Sequence, residues 1–311
     1  VSFPVNGADA QKYSSFLQSL EPLKKLVVAL APYDAGFVPE LVTYDKNHED
    51  RIPFRYVRMN KPSRKMVAEK LRAVLTSARD RGVDILIFPE LTVDHDALTE
   101  IHNFLSLHNS PEQLKLVIAG SFHRERNQGG GYTNSATMLD WQGNDIWRHH
   151  KLHPYMLRTA EIPENSKRTA LLKLFGAESG DDAEEHIRTD YPLSFVDTPI
   201  GRMATLICLD YLASQVCETV GGVGCHYLWV PLMTTSIDTF NTHARDEYGA
   251  KYHVLSAFSA SVSCPEMFGV RKEDFSFLYA PSRRFGKSGE HPDVIRSEEP
   301  PLILYQLEIM L

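Results

Sequence analysis

No apolar run in this 311-residue chain approaches the roughly 20 residues needed to cross a bilayer; the longest, such as Leu26 to Ala31, have the length of a strand. Positive charge is also in deficit, with 33 Lys and Arg against 40 Asp and Glu and a formal net charge of -7. Nothing there neutralises phosphates in bulk, which argues against nucleic acid or an anionic membrane as the main partner. Cysteine is scarce: Cys208, Cys217, Cys225 and Cys264 all fall in the last third, with no CxxC spacing. A disulfide framework is therefore not indicated, and the thiols read as reduced, in a cytoplasm. The chain starts at Val1 without an initiator Met or a signal-peptide pattern, as expected of a processed product or a module of a longer polypeptide.

What is present is ordinary for a globular protein: 43% hydrophobic and 23% charged residues, in a chain long enough to bury a large core without staples. Residues 1–24 are polar and weakly patterned, and read as a leader or linker ahead of a domain spanning 25–311. Leu26-Val-Val-Ala-Leu-Ala31 predicts a buried strand bounded by Pro32. Val67, Leu71, Val74, Leu75 and Ala78 fall at helical spacing between Ser63 and Gly82, a start and a stop signal. Asp84 to Phe88, Leu116 to Gly120 and Asn134 to Asp140 predict further strands, with a helix marked by Leu98, Ile101 and Leu105 and a hairpin turn over 141–145. Met203 to Cys208 and Tyr227 to Pro231 predict two more strands with a short helix between them, followed by strands over 253–262 and 302–309. Strands alternating with amphipathic helices indicate a layered α/β fold. The segment 178–190 holds six acidic residues against one Arg; with its flank it reads as a solvated insertion over about 165–190, without a catalytic role.

Three side chains stand where a sheet edge can present them for chemistry. Cys208 closes an apolar strand ahead of a helix start, where backbone N–H groups and a nearby cation favour a thiolate and can hold an oxyanion. Taken alone, a strand-end cysteine is more often a small core residue. Glu90 follows the strand Ile85 to Phe88 and Pro89; partial burial there raises a carboxyl towards the range in which it both accepts and donates a proton. Considered singly, it reads more readily as a loop-anchoring acid. Lys151, in Trp147-Arg-His-His-Lys-Leu-His-Pro154, follows a strand and offers a cation that would lower the thiol pKa and stabilise a tetrahedral oxyanion. A single loop lysine is usually a surface charge.

The segments IFPEL (87–91), HHKLHP (149–154) and GRMATLICLDYL (201–212) together resemble the three catalytic motifs of the nitrilase superfamily of carbon–nitrogen hydrolases. AGS (119–121), YTNSATMLDWQGN (132–144), YLWVPL (227–232) and LILYQLEI (302–309) extend the resemblance over about residues 25–310. It implies a four-layer αββα sandwich, usually paired as a homodimer or higher homo-oligomer. It also implies hydrolysis of a non-peptide carbon–nitrogen bond in a small amide-like substrate, without metal or organic cofactor. Carried onto this chain, it makes Cys208 the nucleophile, Glu90 the proton carrier, and Lys151 with the backbone N–H of Leu209 the oxyanion site. An auxiliary glutamate is expected after the lysine, with Glu161 the better candidate and Glu164 the reserve. Thr234 and Thr235, after the strand at 227–231, are expected to line the substrate pocket. The stretch from Lys151 to Cys208 is long for the family, and the region from Arg245 to His253 lacks the Glu-Asn signature that often follows the last core helix.

Other readings are weaker. His149, His150 and His153 lack metal-site spacing, because adjacent residues of an extended segment point to opposite faces and no Cys or carboxylate pair completes a set. Gly129-Gly-Gly131 lacks the Lys-Ser/Thr of a phosphate loop and reads as a turn. The competing class is a binding, sensing or effector module of a larger protein with little or no hydrolysis. A panel of amides and nitriles separates it from an enzyme.

Overall fold

The computed structural model describes residues 7–21, 23–32, 37–41, 51–58, 63–125, 131–158, 182–261, 276–281, 295–299 and 301–308. The predicted strand at 26–31 forms as Lys25–Leu30, which runs parallel to Ile85–Ile87 and antiparallel to Leu302–Glu308. These are the middle of a seven-stranded sheet. It continues from Ile85–Ile87 through Leu116–Glu125 and Tyr132–Asp140 to Asp145–His150, and ends on the other side with Ile295–Glu299. Alternation along each strand divides the side chains between two cores, since successive residues point to opposite faces. Val28, Leu30, Ile85 and Ile87 face a second sheet, while Ala29, Leu86 and Val117 face helices.

Those helices are Ser63–Asp80 and His95–His108. Leu71, Val74, Leu75 and Ala78 of the first are buried, as its periodicity requires, and Gly82 follows its end with φ at +65°. In the second, Asp94 caps the N-terminus by accepting from the N–H of Ala97 at 2.9 Å, and Ala97, Leu98, Ile101, Phe104 and Leu105 are buried. The second sheet runs in the order Phe195–Thr198, Gly201–Thr205, Tyr227–Leu232, Leu255–Ala260, Phe277–Tyr279. The helix Ser214–Gly222 and the helical stretch from Asp238 to Tyr252 add buried residues such as Val216, Val220, Phe240 and Tyr248 to the core of this half. Helices on sheet, sheet on sheet and sheet on helices make the α/β sandwich that the sequence predicts. Among the described residues no helix is long and apolar enough to cross a membrane.

Three expectations are corrected. Residues read as a leader contain the helix Gly7–Leu20, whose Phe16 and Leu20 are fully buried, with Phe16 packed against Trp147. Its apolar stripe of Tyr13, Phe16, Leu17 and Leu20 joins the core between the sheets. The strand expected to reach Cys208 stops at Thr205, and Cys208–Leu212 is a 3-10 turn. The acidic run includes the strand Asp182–Glu185, in which Ala183 and Glu185 are buried. This strand belongs to a third sheet, in the order Phe37–Leu41, Arg51–Arg58, Asp182–Glu185, Met156–Arg158, which brings residues from four distant segments together. The segments 126–130 and 159–181, and Val262, Cys264 and Ile309, lie outside the described residues.

Candidate active site

The two main sheets meet at the ends of Ile85–Ile87 and Tyr227–Leu232, where the N–H of Glu90 donates to the carbonyl of Leu232 at 3.3 Å. Leu91, the next residue, adopts a left-handed backbone with φ at +58°, and its N–H donates to Ser121 Oγ at 3.3 Å. Gly120 permits this packing, because a Cβ there would lie 2.2 Å from the carbonyl oxygen of Pro89. Glu90 is thereby turned into the junction and almost completely buried.

Lys151 follows the strand Asp145–His150 and is held by its N–H, which donates to the carbonyl of Asn134 at 2.8 Å. Its ammonium lies 2.8 Å from Glu90 Oε1 and 2.7 Å from Glu185 Oε2. Cys208 sits at the head of its 3-10 turn with φ at +49°, another left-handed non-glycine position, and its thiol faces the Met233 carbonyl at 3.7 Å. Non-glycine residues with positive φ carry local strain that tends to gather at functional sites. The thiol lies close enough to the Glu90 carboxylate for each group to influence the other's titration. Tyr211 braces the turn from within the core: its ring stacks on Tyr248 at 4.2 Å and its hydroxyl donates to Ser256 Oγ at 2.9 Å.

Asp210 ties the lysine segment to the cysteine turn. Its Oδ1 accepts from the N–H groups of Leu152 and His153 at 2.9 and 2.8 Å and from His153 Nδ1 at 3.0 Å; its Oδ2 accepts from His149 Nε2 at 3.0 Å. Burial pushes the Asp210 carboxyl up, but the hydrogen bonds from His149 and His153 outweigh it and hold the group below its ordinary value. His150 faces the other way, against Ser135 Oγ at 2.7 Å and stacked on Tyr191, as adjacent residues of a strand must. Asp210→Asn puts an amide N–H among these donors. It is expected to lower stability by about 3 kcal/mol in a denaturant titration, and to reduce turnover by displacing Lys151 relative to Cys208. An unchanged midpoint would remove Asp210 from this role.

The two carboxylates on Lys151 are not equivalent. Glu185 fills all four of its lone-pair sites: Oε1 takes His123 Nε2 at 2.7 Å and Asn134 Nδ2 at 2.9 Å, and Oε2 takes Lys151 Nζ at 2.7 Å and the Tyr155 N–H at 2.8 Å. Burial alone would raise its carboxyl, but Lys151 and His123 hold it far below the usual carboxylate range. Glu90 has its fixed donors, Asn134 Nδ2 at 3.1 Å and Lys151, on Oε1 alone. Burial raises its carboxyl, and the charge of Glu185 adds to this against the opposing pull of Lys151. The two carboxyls are thus pushed apart, Glu185 towards the anion and Glu90 towards the protonated form.

For Lys151, burial favours loss of the proton, yet Glu185 and Glu90 outweigh it and keep the ammonium charged. For Cys208 the outcome opposes the expectation of a lowered thiol pKa. Burial, then the negative charge of Glu90, raise it well above the ordinary value, and Lys151 only partly offsets them. The Cys208 side chain is therefore a protonated thiol at rest, beside the Glu90 carboxyl.

Of the residues singled out from sequence, Glu90, Lys151 and Cys208 converge, with Leu209 in the first turn of the 3-10 segment, where a helix's leading N–H groups have no partner within it. Thr234 and Thr235 follow Met233 and are half-buried, but the Thr234 hydroxyl is engaged in its own turn, donating to the Ser236 carbonyl at 2.6 Å. Glu161 and Glu164 lie outside the described residues. Sequence reasoning missed Glu185, His123, Asn134 and Asp210. Asp210 was signalled by its place two residues after the cysteine. Among the described residues no group of three or more His, Cys, Asp or Glu side chains is arranged to hold a metal ion.

A buried thiol, acid and ammonium lie together at the edge between two packed sheets of an α/β sandwich. The sequence pattern of the carbon–nitrogen hydrolase family matches residues 55–236, more than half of the chain, and the chain belongs to that family. Among solved structures it is similar to the Caenorhabditis elegans NitFhit protein, at 14% identity and a TM-score of 0.58, covering 92% of this chain and 61% of that one. It is similar to Saccharomyces cerevisiae Nit3, a member of branch 10 of the nitrilase superfamily, at 12% identity and a TM-score of 0.54, covering 92% of this chain and 90% of that one. It is also similar to an amidase from Nesterenkonia sp., at 12% identity and a TM-score of 0.53, covering 91% and 90% of the two chains. No curated protein sequence matches it.

Proposed function

We propose that this chain hydrolyses a non-peptide carbon–nitrogen bond, an amide in preference to a nitrile, through a thioester on Cys208. The reading is carried by the convergence of Cys208, Glu90 and Lys151 in one buried junction. Glu90 takes the thiol proton as sulfur attacks the carbonyl carbon, and the resulting oxyanion is stabilised by Lys151 and the Leu209 N–H. Glu90 then gives that proton to the nitrogen as the carbon–nitrogen bond breaks, and the amine leaves. Water next attacks the thioester while Glu90 takes its proton; the acid departs, and the proton returns to sulfur. Glu185, rather than Glu161, is the auxiliary glutamate in this scheme, because its saturated carboxylate fixes Lys151 without competing for the proton.

The amide preference is supported by the Nesterenkonia amidase, one variant of which carries the acetamide moiety of fluoroacetamide on its active-site cysteine. The test is a panel of amides, carbamoyl compounds and nitriles, with ammonia release and intact mass recorded. Turnover of amides is expected; silence across the panel would favour a binding or sensing module.

The pH dependence follows from the charge states. Glu90 acts only when ionised, so kcat/KM is expected to fall as the pH drops through its carboxyl pKa, which burial lifts above the ordinary 4.5. Neither the thiol nor Lys151 contributes a limb near neutrality, because both are held well above their ordinary values. A rate climbing tenfold per pH unit from neutrality to the thiol range would instead point to a free thiolate, against this scheme.

A further inference from the structure

His123 stands on the strand Leu116–Glu125, whose first half obeys simple alternation: Ile118 pairs with Met138, and both belong to the core between the sheets. The register then slips. Ser121 pairs with Ala136 and His123 with Asn134, so three residues of one strand are spent against two of its partner. This is a β-bulge, with Gly120 at φ +54° inside it, and it reverses which residues of the strand face inward. Odd-numbered Val117 and Ala119 face the helices, whereas His123 beyond the bulge is directly opposite Asn134 on the side of the active site.

We infer that His123 is a positioning residue: its ring N–H occupies the last lone pair of Glu185, which makes that carboxylate a fixed counter-ion of Lys151 and leaves proton exchange to Glu90. The inference rests on the hydrolase reading above. Glu185 accepts from Asn134, Lys151 and the Tyr155 N–H, and an ionised carboxylate has no hydrogen to offer, so His123 Nε2 must be the donor at 2.7 Å. Among the described residues, the charged or titratable groups that meet here include His123, Glu185, Lys151, Glu90 and Cys208. Without the His123 donor, Glu185 regains an open lone pair and becomes a second acceptor beside Glu90. The two then titrate as a pair whose first proton binds more tightly than that of Glu90 alone.

Alkylation of Cys208 by iodoacetamide reads the base without a substrate. The rate is followed across pH by intact mass and peptide mapping, with Cys208→Ala as background, on wild type, His123→Leu and His123→Gln. Wild type is expected to show one acid limb. His123→Leu moves that limb upward by at least about one unit, a tenfold slower reaction at a pH on the limb. His123→Gln, which keeps an N–H donor, returns most of the way. Should the leucine variant not fold, His123→Ala with and without imidazole replaces it, imidazole being expected to shift the limb back. Coincident limbs for wild type and His123→Leu, equal displacement in the leucine and glutamine variants, or no response to imidazole overturn the role of His123. A wild type with no carboxylate-linked limb takes down the hydrolase reading itself, and the inference with it.

Discussion

Cys208→Ala is expected to lose at least about a thousandfold in turnover while folding as wild type does, because in the proposed scheme it removes the one atom that forms a bond to the substrate. The substitution is mild for the fold: the side chain is small and buried, and alanine inherits the same left-handed backbone. The comparison that gives the result its meaning is Glu90→Gln. It leaves the sulfur in place and nearly preserves the shape of the junction, but cannot take the thiol proton. Because burial keeps the thiol protonated at rest, this variant should also be nearly inactive, and slow to react with iodoacetamide at neutral pH. Ammonia release and mass spectrometry on the two proteins check this. Rapid acylation of the Glu90→Gln variant would mean that the thiolate forms without Glu90, and the division of labour between the carboxylates would have to be abandoned.

In the sequence, Glu90 and Cys208 each follow an apolar run, which announces itself without knowledge of its neighbours; Lys151 follows the mixed strand Asp-Ile-Trp-Arg-His-His and is marked by the HHKLHP segment instead. Glu185 gives no such signal, since its strand reads Asp-Ala-Glu-Glu, a composition that does not favour strands. It is ordered by pairing with Arg51–Phe54 and Met156–Arg158, contacts that no local window contains. His123 was hidden for a different reason: a period-two reading carried past Gly120 assigns it to the wrong face, and only the bulge turns it inward. The N-terminal helix gives only a faint signal, because its stripe of Tyr13, Phe16, Leu17 and Leu20 lies in a largely polar stretch. The lowered thiol pKa expected from a neighbouring cation failed because sequence gives proximity but not burial, and burial decides the sign at Cys208.

Lys151→Met carries the second large effect, on the fold as well as the chemistry. Methionine fills a similar volume but leaves Glu90 and Glu185 buried around Asn134 with no cation between them. Removing one partner of a buried ion pair costs about 3–5 kcal/mol, more than the pair itself contributes. The pH dependence identifies the cause. In wild type the Glu185 carboxyl is lowered on folding, so its contribution is present above the unfolded value and lost as the pH falls. In the variant the carboxylates face each other and their folded pKa values rise, so the sign reverses: stability is greatest in acid and is lost as the pH rises through those values. Denaturant midpoints for the two proteins should therefore converge in acid and separate towards neutrality. Adding Glu185→Gln to the variant removes one of the stranded charges and should restore part of the neutral-pH stability. It should not restore turnover, because the cation that the proposed scheme sets against the oxyanion, worth roughly 100-fold to 1,000-fold in rate, is still missing. Parallel midpoint curves across pH, or recovery of activity in the double variant, would show that Lys151 acts neither as the charge balance of the site nor as its oxyanion cation.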